Sequence, residues 1–126
     1  MAKRVLIVDD DMDIRWAIRR LLEWRGYECE EADTGVGAMA LLQKGQFDLV
    51  ITDHQMPKMS GVELLECLRK VPEKRTLPVI LLSGNLRSEE RERALKVGVH
   101  SIWEKPFDCE ELVSLVARAV EGTASS

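Results

Sequence analysis

Cysteine is scarce and unpatterned in this 126-residue chain: Cys29, Cys67 and Cys109 are odd in number, far apart and never spaced C-x-x-C. That excludes a disulfide framework and speaks against a zinc site, so a reducing, cytoplasmic setting is expected. Excess positive charge is also missing. The net charge is -4, the pI is about 5.3, and the basic residues are interspersed with acids, which argues against direct nucleic-acid binding. No apolar run reaches membrane length. The amino-terminal MAKRVLIVDDD meets three acids too early for a signal peptide, so neither membrane insertion nor export is expected. Internal repeats and low-complexity tracts are absent. What remains, at 45% hydrophobic content, suffices for one core with no room for a second catalytic lobe.

The chain alternates short apolar runs with helical patterns. Val5–Val8 ends at Asp9, Asp10 and Asp11, and Ile14, Ala17, Ile18, Leu21 and Leu22 then recur at helical spacing until Gly26. Tyr27 to Ala32 alternates in polarity like a strand near a sheet edge. Thr34 can cap a second helix, reaching Lys44, whose first turn Gly35 and Gly37 weaken. Leu49, Val50 and Ile51 form a run apolar enough for a strand covered on both faces, and it ends at Asp53. Pro57 breaks the backbone, and Gly61 opens a third helix through Lys70. A polar connection from Pro72 to Thr76 leads to a fourth strand, Val79–Leu82, and a loop of Ser83, Gly84 and Asn85. Ser88 can cap a charged helix to Val97, closed by Gly98. The last strand is Ser101 to Glu104. Lys105 and Pro106 break it, and Asp108 with Glu111 forms a D-x-x-E cap for a final helix carrying Leu112, Leu115, Val116, Ala119 and Val120.

Five strands alternating with five helices predict an α/β fold with a doubly wound parallel sheet. Parallel strands share one carboxyl edge, where open sheets bind ligands, and that edge would collect Asp9 and Asp10, Asp53, Ser83 and Lys105 from four strands. Two carboxylates about 5 Å apart repel by about 3 kcal/mol at an effective dielectric near 20. A cation must offset this. Lys105 supplies one charge, and a cluster of hard oxygens also suits Mg²⁺, which in turn invites phosphate. With a metal and the Lys105 ammonium holding a phosphoryl group, Asp53 could attack phosphorus in line, with Ser83 donating to another oxygen. Read alone, Asp53 could equally be a turn former or helix cap.

The set LIVDD at Leu6–Asp10, VITDHQMP at Val50–Pro57 with Ser60 and Gly61, LLSG at Leu81–Gly84 and EKPF at Glu104–Phe107 resembles the receiver domains of two-component response regulators over nearly the whole chain. The resemblance implies a flavodoxin-like fold, sheet order 2-1-3-4-5, over residues 1–121, with 122–126 a flexible tail. It implies phosphorylation of Asp53 from the phosphohistidine of a sensor histidine kinase or phosphotransfer protein. Mg²⁺, or Mn²⁺ in its place, would be held by Asp10, Asp53 and the Gln55 carbonyl, with Asp9 acting through water. Ser83 would be the switch hydroxyl, and Lys105 the phosphate partner, held by a cis bond to Pro106. Such a domain is a phosphoryl acceptor with self-catalysed phosphorylation and autodephosphorylation rather than a conventional enzyme. It acts through an output face of helix four, strand five and helix five, as a monomer or a phosphorylation-promoted dimer, alone or leading a longer protein.

Departures from the pattern matter. Ile102 stands where the family usually has Tyr or Phe, and strand alternation points the neighbouring Trp103 to the opposite face. Gln55 and Asn85 resemble positions that tune phosphate lifetime. His54 is expected in a solvated loop, His100 in a turn, and Trp16 and Trp24 partly buried beside the stripe of the first helix. The run Arg87–Lys96 reads as a solvated face with a sparse apolar stripe, suited to a movable helix. Two rivals are a haloacid-dehalogenase-type phosphatase, with Asp9 as nucleophile and Asp11 completing a D-x-D, and a pseudo-receiver that binds partners without phosphorylation.

Overall fold

The computed structural model describes residues 2–105 and 108–121; the expected cis bond to Pro106, Phe107 of the EKPF motif and the tail 122–126 lie outside them. The chain runs β1 (Arg4–Val8), α1 (Met12–Trp24), β2 (Glu28–Ala32), α2 (Gly35–Lys44), β3 (Leu49–Asp53), α3 (Gly61–Arg69), β4 (Val79–Ser83), α4 (Ser88–Lys96), β5 (Ser101–Glu104) and α5 (Cys109–Glu121). The strands form one parallel sheet, as the alternating pattern predicts, and their order β2-β1-β3-β4-β5 is the one the family resemblance implies. The connection after α3 is not featureless: Pro72–Lys74 makes a single 3₁₀ turn, with proline at its start, where no donor is missed.

Two apolar layers explain the strand sequences. Leu6, Val8, Val50, Val79 and Leu81 pack with α2, α3 and Ala94 of α4 on one face, while Val5, Ile7, Leu49, Ile51, Ile80 and Leu82 pack with α1 and α5 on the other. Being covered on both sides, the central strands are apolar over Val5–Val8, Leu49–Ile51 and Val79–Leu82. The same alternation carries into β5, where Ile102 packs with the first layer and Trp103 with the second.

Caps fix where the helices begin. Asp11 accepts from the Asp13 and Ile14 amides, Thr34 from Gly37, and Ser60 and Glu63 form a reciprocal capping box. Asp108 accepts from the Glu110 and Glu111 amides at the start of α5. At α4 the cap falls one residue earlier than expected. Arg87 occupies it, with its amide donating to Glu90, and Ser88 is already helical.

The tryptophans correct the sequence reading. Trp16 is 58% and Trp24 86% exposed, because at about 100° per residue both lie roughly 140° round the helix from the buried Ile18 and Leu22. Helix α4 buries only Ala94, leaves Leu95 exposed and is otherwise fastened by polar side chains.

Candidate functional site

The carboxyl ends of β1 and β3 bring three acids together. Asp9, Asp10 and Asp53 each place a carboxylate oxygen within 4.8 Å of the others; Asp9 and Asp53 are buried and Asp10 is exposed. Lys105, just past β5, crosses to them, its Nζ donating to Asp53 Oδ1 at 3.0 Å and lying 3.7 Å from Asp9 Oδ2. The Lys105 amide donates to the Ser83 carbonyl at 2.9 Å, which continues the β4–β5 pairing and aims the ammonium along the sheet edge.

The site's electrostatics follow from burial. Asp9 is pushed up to about 6, first by burial and then by the Asp53 and Asp10 charges, against the Asp11 amide and Lys105. Burial alone would lower the Lys105 ammonium, but its hydrogen bond to Asp53 and the charges of Asp53 and Asp9 hold it above its ordinary value. Asp9 Oδ1 accepts from the Asp11 amide at 2.9 Å, whereas Oδ2 is buried with no hydrogen-bond partner. A buried, orphaned carboxylate oxygen beside two further acids and one ammonium fits a hard divalent cation, which would supply the missing positive charge.

The other expected residues lie at the end of β4 and in the turn after β3. Ser83 ends β4, fully buried, its Oγ accepting from the Asn85 amide at 3.1 Å; among the described residues that hydroxyl makes no hydrogen bond to the side chain of Asp53 or Lys105. Gln55 is exposed, and among the described residues no amide donates to its carbonyl, which leaves that oxygen open. The β3–α3 turn is pinned tightly. Thr52 donates to the Asp53 carbonyl at 2.9 Å, and a Cβ on Gly61 would lie 2.4 Å from that same oxygen. Only glycine lets α3 begin so close to the acid. Lys58 takes a positive φ of 70° within the turn.

Three features escaped sequence reasoning. Arg15 donates to the Asp9 carbonyl at 2.6 Å and to Glu31 at 2.9 Å, bracing the acid-bearing turn against β2. Its helical position facing β2 was readable only once β2 was known to lie beside β1. Arg69 donates to the carbonyls of Lys74, Leu77, Val97 and Gly98, joining the end of α3 to the end of α4. Third, His54 is not solvated but 4% exposed, with Nδ1 accepting from the Val62 amide at 3.4 Å and Nε2 lying 2.9 Å from Glu90 Oε2. No local pattern announces it, because Glu90 belongs to a helix beyond the next strand.

The phosphatase rival loses its second acid here. Asp11 is exposed and spent on capping α1, outside the cluster. A doubly wound sheet ordered 2-1-3-4-5, with acids from two strands and a lysine from a third at its carboxyl edge, defines a chemotaxis-regulator-like α/β domain. Residues 5–117 match the model of the response regulator receiver domain, and the chain belongs to that family. It is 37% identical over 110 residues to the chemotaxis protein CheY-3 of Vibrio cholerae, covering 86% of this chain and 85% of that protein. To the probable transcriptional regulator ycf29 of Porphyra purpurea it is 36% identical over 120 residues, 95% of this chain but only 57% of that relative's length. Among solved structures it superposes with a CheY-like receiver domain protein of Methanospirillum hungatei at a TM-score of 0.91, with 30% identity and 97% and 96% of the two chains covered. Chemotaxis response regulator CheY4 of Vibrio cholerae gives a TM-score of 0.87 at 33% identity, covering 94% of this chain and 99% of that one.

Proposed function

We propose that Asp53 accepts a phosphoryl group from the phosphohistidine of a sensor histidine kinase or phosphotransfer protein, and that the resulting aspartyl phosphate switches the domain. The observation that carries this reading is the Lys105 ammonium reaching both Asp53 and Asp9 while Asp9 Oδ2 has no other partner. In the transfer an Asp53 carboxylate oxygen forms the new P–O bond as the donor's N–P bond breaks and the imidazole leaves with a proton. Lys105 neutralises charge on the transferring oxygens, and the Ser83 hydroxyl turns from accepting the Asn85 amide to donating toward the phosphoryl group. Asp9, Asp10, Asp53 and the Gln55 carbonyl would hold Mg²⁺, or Mn²⁺ in its place. The ion contributes the positive charge that lets an anionic donor approach an acidic pocket.

The acceptor is self-catalysing in both directions, since water can later attack the same phosphorus. The receiver unit spans residues 1–121, and its output face comprises α4, β5 and α5, used as a monomer or as a phosphorylation-promoted dimer. A cytoplasmic location agrees with three free cysteines. Among the described residues no helix is long and apolar enough to cross a membrane.

Incubation with Mg²⁺ and phosphoramidate or acetyl phosphate, followed by intact mass measurement, tests the reading. Wild type gains one phosphoryl group and Asp53→Ala gains none. An unmodified wild type that still binds partners would instead make the domain a pseudo-receiver.

A further inference from the structure

His54 is held on every side. Its amide donates to the Leu82 carbonyl of β4 at 2.9 Å, and its carbonyl accepts from the Met56 and Gly61 amides at 3.1 and 2.9 Å. With Nδ1 accepting from the Val62 amide, the ring proton belongs on Nε2, which faces Glu90 of α4. The residue following the acceptor acid is thereby tied to a helix that otherwise buries only one side chain, Ala94. The remaining fastenings of α4 are also polar. Arg93 forks onto Glu66 of α3 at 2.6 and 3.0 Å, Arg91 reaches Glu104 at 3.3 Å, and Arg69 takes the carbonyls at its carboxyl end. Of these the His54 contact adjoins the acceptor acid itself, whereas the Arg91 contact with Glu104 adjoins Lys105. The His54 contact is the more deeply covered of the two, with its side chains 6% and 15% exposed against 43% and 71%.

The opposite end of the connection also reaches the site. Ser83 and Asn85 sit only a few residues before α4, so a Ser83 hydroxyl that leaves the Asn85 amide shifts the segment entering that helix. Glu90 has somewhere to go. It already accepts from the Arg87 amide at 3.0 Å and from the Arg87 guanidinium at 3.3 Å, so its charge stays compensated if the histidine is lost.

We propose that the contact between His54 and Glu90 is a latch: it holds α4 in its resting place against the Asp53 turn, and it opposes occupation of Asp53 by a phosphoryl group. This rests on the acceptor reading above. His54 and Glu90 are positioning residues, acting through the turn rather than on phosphorus. Because coupling between two sites is reciprocal, whatever phosphoryl occupancy does to the latch, opening the latch does to occupancy.

The test uses the whole chain with His54→Asn, His54→Gln, Glu90→Ala and the Asn/Ala double variant. Asparagine keeps an acceptor for the Val62 amide but cannot reach Glu90; glutamine reaches Glu90 with a donor. Two quantities are measured: hydrogen exchange of residues 86–97 in the metal-free protein, and affinity for beryllofluoride with Mg²⁺, a non-covalent phosphoryl mimic. His54→Asn and Glu90→Ala should each speed exchange in α4 and tighten beryllofluoride binding, both on the order of 5- to 20-fold. The double variant should go little further than either single, and His54→Gln should stay near wild type. Unchanged exchange and affinity, or single effects that simply multiply, overturn the latch. Should His54→Asn not fold, Glu90→Gln decides through beryllofluoride affinity, since glutamine still accepts from the Arg87 amide at the start of α4 while losing the charge that faces His54. A wild type that binds no beryllofluoride defeats the acceptor reading instead, while exchange in α4 still decides whether the contact holds the helix.

Discussion

Lys105 and Asp53, 52 residues apart, meet through a 3.0 Å hydrogen bond between ammonium and carboxylate at the carboxyl edge of the sheet. That single contact gathers the ends of β3 and β5 and sets a largely covered ammonium against the three clustered acids. Replacing Lys105 with Met keeps the stem's apolar bulk and removes the charge. The rate of Asp53 phosphorylation by acetyl phosphate should fall roughly 10- to 100-fold, the worth of a charge-assisted hydrogen bond. Mg²⁺ affinity, followed by titration, should not weaken, because the metal loses a competitor for the same carboxylates.

Asp9 makes the apo protein's stability depend on pH in an unusual direction. Its folded value near 6 lies above its ordinary 3.8, so between those limits the native state holds a proton that the unfolded chain has released. Stability from this group is therefore greatest below about pH 4, declines as pH rises through about 6, and levels off above it. Asp9→Asn should abolish that slope and raise stability at pH 7 by up to about 3 kcal/mol. Urea melts of both proteins across pH 4–8 without divalent ions check this; a flat wild-type profile contradicts it.

Mg²⁺ should reverse that penalty. A cation bound only by the folded acid cluster stabilises by mass action, about 2.7 kcal/mol at a hundredfold excess over its dissociation constant. Thermal melts should shift upward with Mg²⁺ in wild type and hardly at all in an Asp10→Ala/Asp53→Ala double variant.

Gly61→Ala puts a methyl group 2.4 Å from the Asp53 carbonyl oxygen and 2.9 Å from His54 Cα, both backbone atoms that cannot swing aside. The turn must open. A loss of about 1 to 3 kcal/mol is expected, together with slower phosphorylation, since the displaced segment carries the acceptor. Gly26, whose positive φ of 93° has open space around it, serves as the contrast. There alanine is strained by backbone conformation alone and should leave phosphorylation untouched.

Arg69→Met removes a guanidinium that satisfies four carbonyls, Lys74 and Leu77 in the connection before β4 and Val97 and Gly98 just past α4. Burial already holds that guanidinium below its usual range. Stranding those carbonyls should cost about 2 to 3 kcal/mol, and hydrogen exchange at Val97 and Gly98 should rise before the sheet unfolds.

Much was legible because it is local. The apolar runs ending in Asp9, Asp53 and Ser83 mark the carboxyl ends of buried strands wherever those strands pair, and parallel pairing then obliges the ends to share an edge. The caps at Asp11, Thr34 and Ser60 are local for the same reason, each being settled within four residues. The order of acids, serine and lysine along the chain was thus enough to set them at the carboxyl ends of strands in a doubly wound parallel sheet. Only the tertiary structure decided their terms of contact: that Lys105 bonds Asp53 and merely approaches Asp9, that Asp9 holds its proton to about pH 6, that Trp16 and Trp24 face outward, and that His54 is buried against Glu90. Each of these depends on how deeply a group is desolvated and which distant element lies over it, and neither quantity is written in the residues next to it.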